Sequence, residues 1–113
     1  MAVQTVLDIT DRVNAEMFIE IGGYDYAVFQ FIGVKGTASF NSTNNSGEIG
    51  GVTEGNANLA TNGISIKALS LNSMSIVDTI SDDGMIKFEG VGRFIQIAGG
   101  AFTKVLMRLY KIN

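Results

Sequence analysis

The segment Tyr26-Ala27-Val28-Phe29-Gln30-Phe31-Ile32-Gly33-Val34 decides the fold class. Side chains of an extended chain alternate between two faces. Ala27, Phe29 and Phe31 therefore share one side, and Tyr26, Val28, Gln30 and Ile32 the other. Both sides are mostly apolar, which predicts a strand buried on both faces at the centre of a sheet.

Strand texture continues in both directions. Upstream, Met17-Phe18-Ile19-Glu20-Ile21 is rich in β-formers and stops at Gly22-Gly23, a backbone that admits positive φ. Before it, Leu7 and Ile9 on either side of Asp8 indicate another strand. Ile9, Val13 and Met17 recur at helical spacing, which predicts one short helical turn over Thr10–Ala15 with Thr10 placed to cap it. Downstream, Ile64, Ile66 and Ala68 alternate with Ser65 and Lys67 as in a half-buried strand.

Met74 to Ile80 and Met85 to Glu89 flank Ser81-Asp82-Asp83-Gly84, a sequence suited to a hairpin turn. Phe88 to Ile97 reads as one strand with Val91, Arg93, Ile95 and Ile97 on one face. Gly90 and Gly92 inside it mark a bulge or a close backbone approach. After Gly99-Gly100 a last strand runs from about Phe102 to Ile112, and it must pair within its own sheet or with a neighbouring chain.

Residues 36–63 stand apart, with six Gly, six Asn and only seven apolar residues among 28. A structureless loop of that length is uncommon in a compact domain unless it is functional. Two short strands near Thr37–Asn41 and Glu48–Thr53, joined at Asn44-Asn45-Ser46-Gly47, would organise it. This polar excursion is a candidate contact region, and a β-hairpin serving only as a connection fits its composition equally well. Eight or nine short strands with almost no helix give one all-β domain over residues 1–113. The expected architecture is an antiparallel β-sandwich, jelly-roll-like, or a small β-barrel.

Composition narrows the function. The 113 residues include no His, Cys, Trp or Pro. Without His or Cys there is no Ser-His-Asp triad, no thiol nucleophile and no zinc site of the usual kind. Glu48, Glu54, Asp78, Asp82 and Asp83 could do acid-base work or offer oxygens to calcium, but nothing in their spacing forms a catalytic pair or a dedicated metal loop. Gly90-Val91-Gly92 lacks the third glycine and the helix of a dinucleotide site. The expectation is a protein that is not an enzyme and uses no cofactor and no metal.

Residues 1–56 carry a charge of -5 and residues 57–113 a charge of +2, an asymmetry suited to head-to-tail contact between copies. The net charge of -3 argues against nucleic acid as a partner. Met1-Ala2-Val3-Gln4 lacks the basic start of a signal peptide, and no apolar run reaches the ~20 residues of a membrane span. Proline normally helps to guard sheet edges, so its absence suggests edges covered by something else.

Gly36-Thr-Ala-Ser-Phe-Asn-Ser-Thr-Asn-Asn, the glycines around Glu54-Gly55-Asn56, and Gly90-Val-Gly-Arg-Phe-Ile-Gln-Ile before a short basic-apolar strand resemble small all-β virion proteins of tailed bacteriophages. Those proteins decorate or cement a capsid. The resemblance implies a β-sandwich or barrel that is often trimeric or lattice-bound and has no enzyme activity. It further implies synthesis in a host cytoplasm, a place on the capsid surface, and the major capsid protein, other virion proteins or copies of itself as partners. It carries over no site residues. The contact candidates come from the polar excursion, the terminal strand and the lone arginine on an apolar face. They are Asn41, Asn44, Asn45, Glu48, Glu54, Arg93, Arg108 and Tyr110. Arg93 needs a carboxylate or carbonyl partner. A carbohydrate-binding or fibre-base module using Tyr24 and Tyr26, or a tail or connector component, is the alternative.

Overall fold

The structure is a computed structural model that describes residues 2–44 and 64–112. In chain order the elements are β1 (Ala2–Asp8), α1 (Thr10–Asn14), β2 (Phe18–Glu20), β3 (Tyr26–Ile32), β4 (Ala38–Thr43), β5 (Ile64–Ile66), β6 (Ala68–Ser70), β7 (Ser75–Val77), β8 (Thr79–Ile80), β9 (Gly84–Glu89), β10 (Phe94–Ala98) and β11 (Lys104–Ile112). The larger sheet has the order β1-β11-β3-β9-β6-β7, and the smaller β2-β10-β4-β5 with β8 paired to β4. All pairings among the described residues are antiparallel, and neither sheet closes on itself. The architecture is a β-sandwich, not a barrel.

Aromatic rings join the two layers. Phe88 of β9 is fully buried and meets Phe29 of β3 edge-on at 5.1 Å, within its own sheet. It meets Phe40 of β4 at 5.1 Å and 85°, across the sandwich. Ala27, Phe31, Ile86, Val105 and Met107 extend this core on one side, and Ile19, Ala38, Ile95 and Ile97 on the other. Ile9 and Val13 join it from around α1.

β3 occupies the expected central place, between β11 and β9. Its burial is one-sided: Ala27, Phe29 and Phe31 are buried, while Tyr26, Val28, Gln30 and Ile32 are only half-buried. Burial on both faces belongs instead to β10, where Phe94, Ile95, Gln96 and Ile97 are all buried. The helix α1 packs on β2 and β10. Gln96 is satisfied at both ends, donating to the Glu16 carbonyl (2.8 Å) and accepting from Asn41 Nδ2 (3.1 Å). A polar side chain can be buried there because none of its groups is left unpaired.

Phe88 to Ile97 is not one strand. Gly90 adopts φ +69° and ends the extended run, so the chain leaves the larger sheet and enters the smaller one at Phe94. Gly92 makes the close approach that its position suggests. A Cβ there would lie 2.7 Å from Ser42 Oγ and 2.9 Å from the Thr43 carbonyl oxygen. The expected hairpin at Ser81–Gly84 is also replaced by a change of sheet. β8 pairs with β4, whereas β9 pairs with β3 and β6. Asp83 fixes this corner, its carboxylate accepting from the N–H groups of Gly33 (3.0 Å) and Val34 (2.9 Å).

The helical turn lies where expected, but Thr10 does not cap it. Its hydroxyl donates to Asp8 Oδ1 (2.6 Å) and accepts from the Val105 N–H (2.9 Å), tying α1 to β11. The terminal strand β11 is not an edge, because β1 and β3 flank it. In the polar excursion, β4 matches the first predicted strand, while the second, at Glu48–Thr53, lies outside the described residues.

Two expectations follow. Phe88→Ala removes the ring shared by both sheets and should cost about 3–5 kcal/mol in denaturant unfolding. The two N–H groups donating to Asp83 hold its carboxyl below the ordinary value of 3.8. A depressed folded-state pKa stabilises above the unfolded value, and the effect is lost as pH falls through the folded one. Asp83→Ala should therefore lower the melting temperature at neutral pH, and its gap from the parent should close as pH drops below 3.8.

Candidate functional site

On the outer face of the larger sheet the large apolar residues Val6, Ile76 and Met85 are exposed on three different strands. Register places Val6, Arg108, Val28, Lys87, Leu69 and Ile76 side by side, one from each of the six strands. Val6 is 61% and Ile76 65% exposed. Beside this row a shallow groove of about 260 Å³ is lined mainly by Val6, Val28, Leu71, Met85, Leu106 and Tyr110. Solvated sheet faces ordinarily alternate to polar residues, so this face departs from the pattern of a surface meant only for water.

Tyr110 and Arg108 come together here, on neighbouring outward positions of β11. Tyr110 stacks on Tyr26 with ring centroids 4.4 Å apart and planes 13° from parallel. Arg108 lies over Tyr110 at 5.2 Å, and Lys87 over Tyr26 at 4.4 Å. Tyr110 and Lys87 reach Tyr26 from strands on opposite sides of β3. Tyr26, one of the two tyrosines of the carbohydrate alternative, is thus engaged by both Tyr110 and Lys87. Tyr24 remains 38% exposed.

Asn41, Asn44 and Arg93 gather at the junction of β4 and β10, in the smaller sheet. Arg93 has the carboxylate partner its chemistry required: Nε donates to Glu20 Oε2 at 2.7 Å, and its terminal nitrogen lies 2.6 Å from the same oxygen. Its backbone N–H donates to Asn44 Oδ1 (2.8 Å). Asn41 is engaged with Gln96. These three side chains therefore hold the corner together as well as lining the surface. Asn45, Glu48 and Glu54 lie outside the described residues.

The acidic residues resolve differently. Both oxygens of Asp83 serve the backbone of Gly33 and Val34. Asp8 is held below the ordinary aspartate value by the hydroxyl and N–H of Thr10, helped by Lys104. Among the described residues no group of three or more His, Cys, Asp or Glu could hold a metal ion. No helix among them is long and apolar enough to cross a membrane.

Sequence reasoning missed Val6, Leu71, Met85 and Leu106. The signal was present in β11, where Leu106, Arg108 and Tyr110 alternate with the buried Val105, Met107 and Leu109. Period two assigns them a common face, but which neighbours complete that face depends on pairing.

The fold is thus that of a two-sheet antiparallel sandwich with surface patches. No family model matches the chain, and no curated protein matches it in sequence. In structure it is similar to SPBc2 prophage-derived protein YomS, with a TM-score of 0.59, 8% sequence identity, and coverage of 98% of this chain and 96% of that one. At that identity the likeness is one of fold.

The Arg93–Glu20 pair is half-exposed, and such pairs contribute about 0–1 kcal/mol. Arg93→Ala should therefore cost less than about 1 kcal/mol. Gly92→Ala, which forces a methyl against the Thr43 backbone, should cost about 1–3 kcal/mol. Parallel urea titrations distinguish the two.

Proposed function

We propose that this chain is a non-enzymatic structural protein of a phage particle, decorating or cementing the capsid by binding the major capsid protein, itself or both. The observation that carries this reading is the likeness, over nearly the full length of both chains, to a prophage-derived protein. The apolar outer face of the larger sheet supports it. Val6, Val28, Met85 and Leu106 offer a preformed surface to a neighbouring subunit. Contacts of this kind are multiplied by copy number on a lattice, so each can be weak alone. Arg108 and Tyr110 lie in the same patch and serve as its polar contacts.

Co-sedimentation with empty phage shells tests the reading. The parent chain is expected to pellet with the shells. Met85→Lys combined with Leu106→Lys should weaken binding at least ~10-fold, about 1.4 kcal/mol, with unchanged circular dichroism. Failure of the parent to bind shells overturns the capsid assignment, and binding to isolated tails instead would favour a tail or connector component.

A further inference from the structure

We infer that β1 is a self-pairing edge, through which two copies join their larger sheets across a two-fold axis. β1 is seven residues long and is paired along its whole length with β11 on one side. Among the described residues nothing pairs with its other side. The remaining edge strands are shorter, with three residues each in β2, β5 and β7 and two in β8, and α1 packs on β2. Natural edges are guarded by proline, lysine, inward charge or a bulge. β1 has none of these: its sequence is Ala-Val-Gln-Thr-Val-Leu-Asp, and its register with β11 is unbroken from Ala2 to Asp8.

Backbone geometry tells which groups are on offer. The Ile9 N–H donates to the Val105 carbonyl (3.0 Å), the position that continues the β1–β11 register. Hydrogen-bonded and non-hydrogen-bonded positions alternate in an antiparallel pair. The odd-numbered residues of β1 thus bond to β11, while Ala2, Gln4, Val6 and Asp8 direct N–H and C=O away from the sheet.

The occupant that this edge fits best is its own copy. Antiparallel self-pairing with all seven residues overlapped centres the axis on Thr5 and sets Asp8 opposite Ala2 of the second copy. The one charge on the strand lies at its end, so the two-fold separates the like charges by about 20 Å at ~3.4 Å per residue. Parallel pairing in register would set them side by side. Val6 and Leu7, 61% and 37% exposed and on alternate faces, would each gain a cross-strand neighbour. Six strands from each copy would form one continuous sheet. This inference does not depend on the capsid reading.

Light scattering of the full chain at about 100 µM, where complexes of micromolar Kd are assembled, tests it. The expected result is twice the 12.0 kDa chain mass. Val6→Lys places a charge on the edge, and Gln4→Pro removes an outward N–H while leaving the β11 ladder intact. Both should be monomers with native circular dichroism. A parent that is monomeric or trimeric overturns the inference, as does a dimer that Val6→Lys retains. Because proline could weaken β1 itself, the lysine variant decides where the two disagree.

Discussion

The edge-to-face contact of Phe88 with Phe40 is the constraint on which the rest of the sandwich depends. Each sheet alone would expose one apolar face, and only face-to-face packing removes both from water. Phe88 belongs to the larger sheet and Phe40 to the smaller, and Phe29 ties the pair to the centre of β3. The connections follow from this requirement, since the chain changes sheet at nearly every one. Each change needs a fixed corner. Asp83 supplies one by accepting from Gly33 and Val34, and Gly92 supplies another by fitting against Ser42 and Thr43.

The two outer faces then diverge. On the smaller sheet Gln96 is buried with both ends of its amide paired, and Arg93 is hydrogen-bonded to Glu20 and Asn44. On the larger sheet Val6, Ile76 and Met85 stay exposed around a shallow apolar groove, and β1 leaves an unguarded edge. A core that is already complete has no need of this surface for stability, so the surface is available for contact.

Much of the local structure was legible in the sequence and little of the pairing. Period-two alternation located β3 and β11, and helical spacing located α1. The need of Arg93 for an anion anticipated a partner such as Glu20. Sheet membership was not legible. Gly90 through Arg93 is compatible with a bulged strand, and only the contact of Gly92 with a segment 50 residues away makes it a corner. The two-sided burial of β10 depends on α1 and on the Glu16 carbonyl, neither of which its own residues specify. The candidate residues of the terminal strand, Arg108 and Tyr110, lie on a sheet face because β1 and β3 flank β11. β1 forms the edge beside it.

Amide hydrogen exchange of the chain, free and mixed with empty shells, tests most directly the claim that a finished sandwich acts through its larger sheet. The account predicts that β3, β9 and β10 are already fully protected in the free chain. New protection on the shell should be confined to the larger sheet. New protection concentrated at Glu20, Asn44 and Arg93, or β10 becoming protected only on binding, would contradict it.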